Sequence, residues 1–366
     1  MAASQKSILV MAAGTGGHVF PALAIARQLQ HKGASVQWLG TRRGMENELL
    51  ANSGINIHHI SVNGLKGTGL VRKLLAPIML IQALIQSMQI INKLKPDCVL
   101  GMGGFVCGPG GLAAKIAGKP LIIHEQNAVA GMTNRLLARV ADCVLEAFPS
   151  TFSTATRLVH TGNPLRAEIA KLSSFSRSYP DDKRALRILI LGGSQGAAAI
   201  NRVIPEVVAS WAQSVLPEIW HQTGSRAFEE TQSHYASICP DSAASFRVVP
   251  FIANMAGAYQ WADLVICRSG ASTVSELAAA GLPSILIPYP HHSDQQQVHN
   301  ATWLVAGGAA LLLEQADLTK ARLLELLVEF DRYRTKLVEM GAAARALATC
   351  DADSVIASIC LEYANV

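Results

Sequence analysis

Short, uninterrupted apolar runs, each followed by a turn and then by a helical pattern, recur along this chain and leave it few folds to adopt. Residues 7–13, 36–40, 55–61, 98–101, 121–124 and 143–147 are such runs in the first half. Residues 187–191, 218–222, 246–251, 264–267, 284–288 and 310–313 repeat the theme in the second. Strands with no apolar–polar alternation are buried on both faces, the condition of a parallel sheet covered by helices. The run restarting at Arg187 copies the opening of the chain, with Gly192-Gly193-Ser194-Gln195-Gly196 as its turn and 197–211 as its helix. The expectation is an α/β chain of two Rossmann-like domains with parallel sheets facing a central cleft. At 366 residues the chain exceeds one ordinary core. The first domain is placed at 1–164 and the second at 165–345, with a helix within 346–366 packing back on the first. The Ser-rich, charged stretch 172–183, which contains Pro180, reads as a loop just past the crossover near Gly162-Asn163-Pro164.

The stretch 262–301 carries the most chemistry. Its strand, 264–267, runs into Arg268-Ser269-Gly270 and then into an Ala-rich helix that stops at Gly281-Leu282-Pro283. The first amides of a helix have no partner inside it and carry partial positive charge, so a diphosphate can settle there. Glu276, one turn in, can take both hydroxyls of a ribose. Equally, Thr273-Val274-Ser275-Glu276 can be a capping box that binds nothing. The next strand, 284–288, ends in Tyr289-Pro290 and brings Asp294, Gln295, Gln296, Gln297 and Asn300 to the same rim. Neutral hydrogen-bonding groups beside an anion site suit a nucleotide sugar.

The first turn, Gly14-Thr15-Gly16-Gly17-His18, invites a dinucleotide reading, but that template needs glycine at 19, where Val19 stands. The turn at 192–196 fails the template too, so a nicotinamide dehydrogenase is disfavoured. A helix is expected over 20–32, with Pro21 at its opening. His18 sits at the positive end of that helix, which favours a neutral imidazole and makes it a candidate general base. It can equally do no more than hydrogen-bond the turn. Glu125, within His124-Glu125-Gln126-Asn127, is the rival base.

Composition narrows the remaining classes. The seven cysteines form no C-x-x-C pair and several lie in apolar runs, which suits small core residues in a reducing compartment, with neither disulfide nor zinc. The net charge of +5 comes from scattered basic residues without aromatic interleaving, so no nucleic-acid partner is expected. No apolar signal core precedes the first strand, and no apolar run reaches the roughly 20 residues that cross a bilayer. One segment has a lipid-facing pattern. Lys66, Arg72 and Lys73 precede a helix over 74–95 that carries Gln82, Gln86, Gln89 and Lys93 on one face. Its other faces hold Leu75, Ile78, Met79, Ile81, Leu84, Ile85 and Met88. Such a helix can lie on an anionic bilayer or be ordinary core.

Taken in order over essentially the whole chain, residues 14–18, 124–127, 162–166, 192–197, 268–281 and 294–301 resemble the MurG family. These are the bacterial N-acetylglucosaminyltransferases of peptidoglycan synthesis, in glycosyltransferase family 28. The resemblance implies a GT-B fold, with the acceptor handled mainly by the first domain and the nucleotide by the second. It implies transfer of N-acetylglucosamine from UDP-GlcNAc to the muramoyl 4-hydroxyl of undecaprenyl-diphosphate-linked MurNAc-pentapeptide (lipid I), giving lipid II with inversion. Carried over residue by residue, Thr15, Gly16, Gly17, Asn127, Arg166, Ser194, Ile252, Ala271, Ser272, Thr273, Val274, Ser275, Glu276 and Gln296 contact the donor. Glu276 would hold the ribose, Ile252 the uracil edge and Gln296 the sugar hydroxyls, with His18 the leading base. Ser272 stands where the family has Leu, so a backbone contact survives there and a side-chain contact does not. A single displacement needs no metal and no cofactor, and Asp351-Ala352-Asp353 lies away from any nucleotide strand. The resemblance also places the chain peripherally at the cytoplasmic face of the inner membrane. Lys66, Arg72, Lys73, Leu75, Ile78 and Met79 would meet anionic lipid there, and cell-wall synthesis proteins are candidate partners. The alternatives are a UDP-GlcNAc 2-epimerase, another lipid glycosyltransferase, or a nucleotide-sugar-binding protein without turnover; the cluster 124–127 argues against the first two.

Overall fold

The apolar runs of the first half assemble into one parallel sheet. β1 (Ser7–Met11), β2 (Ser35–Gly40), β3 (Asn56–His59), β4 (Cys98–Gly101), β5 (Leu121–Glu125), β6 (Cys143–Glu146) and β7 (Leu158–His160) lie in the order β3-β2-β1-β4-β5-β6-β7. The second half forms another, from β8 (Arg187–Leu191), β9 (Glu218–Gln222), β10 (Phe246–Val249), β11 (Leu264–Cys267), β12 (Ser284–Leu286) and β13 (Ala310–Leu312). Its order is β10-β9-β8-β11-β12-β13. Every ladder pair is parallel, with Ile8 opposite Val36 on one side and Cys98 on the other. The computed structural model describes residues 5–14, 16–62, 70–153, 157–175, 177, 184–193, 196–213, 215–238, 246–291 and 294–365, with the backbone alone at 70–75.

Alternate residues of β1 show how both faces are covered, as the two-residue period of a strand dictates. Ile8 and Val10 join Val19, Leu23, Ile25 and Leu29 of the helix Gly16–His31, and Ile356 and Cys360 of the helix Ala352–Tyr363. Leu9 and Met11 join Ala83 and Ile91 of the helix Leu70–Leu94, and Ala113 and Ala114 of the helix Cys107–Ile116. Contacts divide the chain into two units, Met1–Arg166 with Asp351–Val366, and Ala167–Cys350. The returning helix is fixed by polar bonds as well as by its apolar face. Lys6 donates to the Ala364 carbonyl (2.8 Å), Gln28 to the Asp353 carboxylate (2.9 Å) and Tyr363 to the Asp142 carbonyl (3.0 Å). Asp353 of the acidic pair is thereby engaged in docking that helix.

Three local expectations are corrected. β7 has no counterpart among the predicted strands, because an edge strand of three residues with Leu158 38% exposed shows no apolar run. The first helix begins at Gly16, so Pro21 lies inside it and not at its opening. The Gly17 carbonyl then lacks the helical donor that Pro21 cannot supply. The long helix starts at Leu70, four residues earlier than its apolar pattern suggests.

Candidate active site

In each sheet the strand order reverses about the first strand of its unit, between β1 and β4 and between β8 and β11. Connections leave such a pair in opposite directions and open a crevice at the strands' carboxyl ends. In the first unit, β1, β4 and β5 are consecutive neighbours, so the turn before His18, the Gly103-Gly104 turn and Gln126 come side by side. Two glycines permit the close approach. A Cβ on Gly104 (φ +83°) would lie 2.3 Å from the Ala13 carbonyl oxygen, and one on Gly103 (φ +99°) 2.7 Å from His18 Nδ1. The half-buried His18 imidazole rests against that turn, with Nδ1 2.8 Å from Gln126 Oε1.

Behind it, Gln126 Nε2 lies 2.8 Å from His124 Nδ1, and His124 Nε2 lies 3.1 Å from the Gly162 carbonyl oxygen. Burial pushes the His124 imidazole down to about 4, so it is neutral at pH 7. Glu125 is 2% exposed, and both carboxylate oxygens are occupied within the loop that follows β5. Oε1 accepts from the Asn127 amide and side chain (both 3.1 Å), and Oε2 from the Gly131 amide (3.0 Å) and Asn134 Nδ2 (2.9 Å). This corrects its reading as a rival base, because a carboxylate with four internal donors orients the loop carrying Asn127. Gly16 and Gly17 open the first helix, and Arg166 is half-buried at the end of the first unit's long segment. Thr15 and Ser194 lie outside the described residues.

In the second unit the helix Ala271–Ala280 opens directly from β11. Its N-cap is Gly270 in an extended conformation with no side-chain cap, and Gly281 closes it in the left-handed region (φ 58°). Thr273 is therefore the third helical residue, which removes the capping-box reading. The amides of Ala271, Ser272 and Thr273 lie ahead of the helix's own bonding. Glu276 accepts from the Tyr259 hydroxyl at 2.8 Å, and Tyr259 is itself buried. Val274 is fully buried in the core, and its amide donates to the Gly270 carbonyl at 3.0 Å. Ser269 ties the β11 exit to the next helix, Gln296–Ala306: its hydroxyl donates to the Gln297 carbonyl (2.6 Å) and its carbonyl accepts from Asn300 (3.2 Å). Gln296 is the first residue of that helix.

A glutamine that the sequence reading passed over clamps the other side. Gln222, at the end of β9, accepts from the Gly193 amide (2.9 Å) and donates to the Gly193 (3.0 Å) and Pro250 (3.1 Å) carbonyls. It thus fixes the Gly-rich turn beside the segment that leads to the buried Ile252. Its place at a strand end before Thr223-Gly224 was the available signal. Tyr259 and Ser269 gave none, because their partners lie on other helices.

His221 on β9 is the second unit's buried imidazole, bonded to Tyr235 Oη (3.1 Å) and Asn201 Oδ1 (3.0 Å) and pushed by burial down to about 3. Both buried histidines start from an ordinary value of 6.5. Below that pH the unfolded imidazoles take up protons that the folded ones refuse, so stability falls as pH falls, until the folded values are reached. Unfolding by urea at pH 7 and pH 5 should show a loss of about 1.4 kcal/mol per histidine per pH unit below 6.5. His221→Gln should remove one histidine's share, and an equal slope in that variant would contradict the assignment.

Residues 8–146 match the family model described as the glycosyltransferase family 28 N-terminal domain, and residues 187–355 match its C-terminal domain. Together with the two sheets, these matches define the class, a glycosyltransferase of α/β architecture. An Azotobacter vinelandii UDP-N-acetylglucosamine–N-acetylmuramyl-(pentapeptide) pyrophosphoryl-undecaprenol N-acetylglucosamine transferase is 51% identical, covering 98% of this chain and 99% of its own. The Acinetobacter baumannii MurG crystal structure superposes with a TM-score of 0.81 at 42% identity, covering 98% of this chain and 99% of that one. The chain belongs to this MurG family within glycosyltransferase family 28. A proposed UDP-N-acetylglucosamine 2-epimerase from Listeria monocytogenes shares the fold alone, at 15% identity and a TM-score of 0.68, with 99% and 98% covered.

Proposed function

We propose that the chain transfers N-acetylglucosamine from UDP-GlcNAc to the 4-hydroxyl of MurNAc-pentapeptide-diphosphoundecaprenol, forming lipid II with inversion at the anomeric carbon. The observation that carries the reading is the helix start at Ala271, open at its amides and followed by the Tyr259-held Glu276. An anionic diphosphate fits the first feature and a ribose diol the second. In the second unit, Ile252 would meet the uracil, the amides of residues 271–273 the diphosphate, and Gln296 the sugar. Gly16, Gly17, Asn127 and Arg166 would contribute from the first unit, and Ser272 through its backbone.

The reaction is one displacement. The acceptor O4 bonds to the anomeric carbon as its proton passes to His18 Nε2, and the bond from that carbon to UDP breaks with its electron pair on the diphosphate. Helix amides stabilise that developing charge without rearranging. Incubation with radiolabelled UDP-GlcNAc and a lipid I analogue should give the labelled disaccharide lipid. Label recovered only as bound UDP-GlcNAc would instead identify a nucleotide-sugar-binding protein.

The same reading places the protein peripherally on the cytoplasmic face of the plasma membrane. Among the described residues no helix is long and apolar enough to cross a bilayer. On the helix Leu70–Leu94, Ile78, Ile81 and Ile85 are exposed by 64, 58 and 52%, whereas Ala83, Ser87 and Ile91 face the core. Met79 is only half-exposed, Lys66 lies outside the described residues, and of Arg72, Lys73 and Leu75 only the backbone is described. Exposed apolar side chains extend onto the adjoining helices, with Leu112 and Ile116 on Cys107–Ile116 and Met132 and Leu136 on Met132–Leu137, beside exposed Arg135 and Arg139. Changing Ile78, Ile81 and Ile85 together to Ser should weaken co-sedimentation with anionic vesicles roughly 10-fold or more, given about 1.5–3 kcal/mol per fully buried aliphatic side chain. Charge reversal at Lys66, Arg72 and Lys73 should act in the same direction. Undiminished sedimentation of both variants would exclude this surface.

A further inference from the structure

We infer that Gln126 is a positioning residue that sets the tautomer of His18, holding its proton on Nδ1 and leaving Nε2 as the basic atom. The inference rests on the reading of His18 as the base, and it follows from the direction in which each hydrogen bond of the chain must run. The Gly162 carbonyl can only accept, so His124 Nε2, 3.1 Å away, carries a proton. A neutral imidazole has one N–H, which leaves His124 Nδ1 as an acceptor. The Gln126 group 2.8 Å from it is therefore the amide nitrogen, which also donates to the His124 carbonyl at 3.2 Å. Both neighbours at that end accept, and the amide cannot turn over without setting its oxygen against them. Gln126 Oε1 then faces His18 Nδ1 at 2.8 Å, and only an N–H on Nδ1 satisfies that contact.

The inner part of the chain is buried, His124 being 0% and Gln126 1% exposed, so water does not compete for the bonds that fix the Gln126 amide. Burial also keeps His124 neutral at working pH, with its value near 4, and the nearby His18 and His160 act in the same direction. Glycine at 103 leaves the room the ring needs to reach Gln126, since a Cβ there would lie 2.7 Å from His18 Nδ1. Free histidine favours the opposite tautomer, with its proton on Nε2, which cannot accept from a hydroxyl. When Nε2 takes the acceptor's proton, the Nδ1–H bond to Gln126 persists and strengthens, because its donor has become cationic. No second proton transfer is needed in the step.

Two-bond proton–nitrogen NMR on the full-length protein with labelled histidine tests this directly. At a pH where His18 is neutral, its spectrum should show Nδ1 protonated and Nε2 bare; the reverse pattern overturns the inference. Gln126→Leu should move His18 toward the Nε2–H form. It should also lower kcat by roughly 10²-fold, the lower end of what a general base supplies, with the KM for UDP-GlcNAc unchanged. Gln126→Glu keeps an acceptor opposite Nδ1 and should retain the wild-type tautomer at a pH where His18 is neutral, but not kcat, because its second oxygen replaces the donor to His124. A Gln126→Leu enzyme that keeps either the Nδ1–H form or full kcat contradicts the inference. If that variant does not fold, the wild-type and Gln126→Glu spectra still decide. Full turnover in His18→Ala, with the wild-type tautomer as expected, would remove His18 as the base while leaving the Gln126 assignment standing.

Discussion

His18→Ala is expected to lower kcat by roughly 10²- to 10⁴-fold, the range a positioned general base supplies, without changing the dissociation constant for UDP. The separation of the two effects follows from where the side chain is bonded. Its Nδ1 is engaged by Gln126 and its face by Gly103, both parts of the first unit. Alanine is the best helix former, and position 18 lies in the first turn of the helix Gly16–His31, so the backbone is expected to survive. Stopped-assay turnover and UDP calorimetry on the same preparation read the two quantities. Turnover within a few-fold of wild type would take the base role from His18. Glu125 would not inherit it, because its oxygens serve Asn127, Gly131 and Asn134.

Glu276→Ala is expected to weaken UDP binding roughly 10- to 100-fold. Hydrogen bonds to a charged group contribute about 1.5–3 kcal/mol each, and about 1.4 kcal/mol is a factor of ten. The Tyr259 hydroxyl holds one carboxylate oxygen at 2.8 Å, so the group is fixed before the nucleotide arrives and loses little freedom on binding. Tyr259→Phe keeps the carboxylate but removes one bond that orients it, and should weaken UDP less than Glu276→Ala does. Calorimetry with UDP measures both. If Glu276→Ala binds UDP normally while melting at lower temperature, the carboxylate is a structural partner of Tyr259 and nothing more.

The alternation of buried strands and helices was legible because it follows from a period that every residue of a strand obeys. Every strand of both sheets except the edge strand β7, and the placing of Gly-rich turns at strand ends, came from that alone. What escaped was set by partners far along the chain. Thr273 and Glu276 have the spacing of a capping box, yet the N-cap is Gly270, three residues earlier, beside Ser269, which is held by Gln297 and Asn300. His18, Gly103 and Gln126 form one group only because β4 lies between β1 and β5, a neighbour relation no local pattern encodes. Glu125 read as a rival base because two of its donors, Gly131 and Asn134, belong to a segment whose shape the sequence does not state. The exposed apolar surface was half-seen: one helix showed it by pattern, while Leu112, Ile116, Met132 and Leu136 became visible only as outward-facing residues of neighbouring helices.

The helix Ala352–Tyr363 closes the core of a unit whose sheet was completed at β7, with the entire second unit encoded in between. On the ribosome, then, order of synthesis and order of completion diverge. The downstream unit is contiguous and can finish first, while the upstream one waits with the groove for Ile356 and Cys360 uncovered. Until that helix arrives, the nascent chain presents a long-lived apolar slot on the Gly16–His31 side of its sheet, an interval in which chaperones have something to hold.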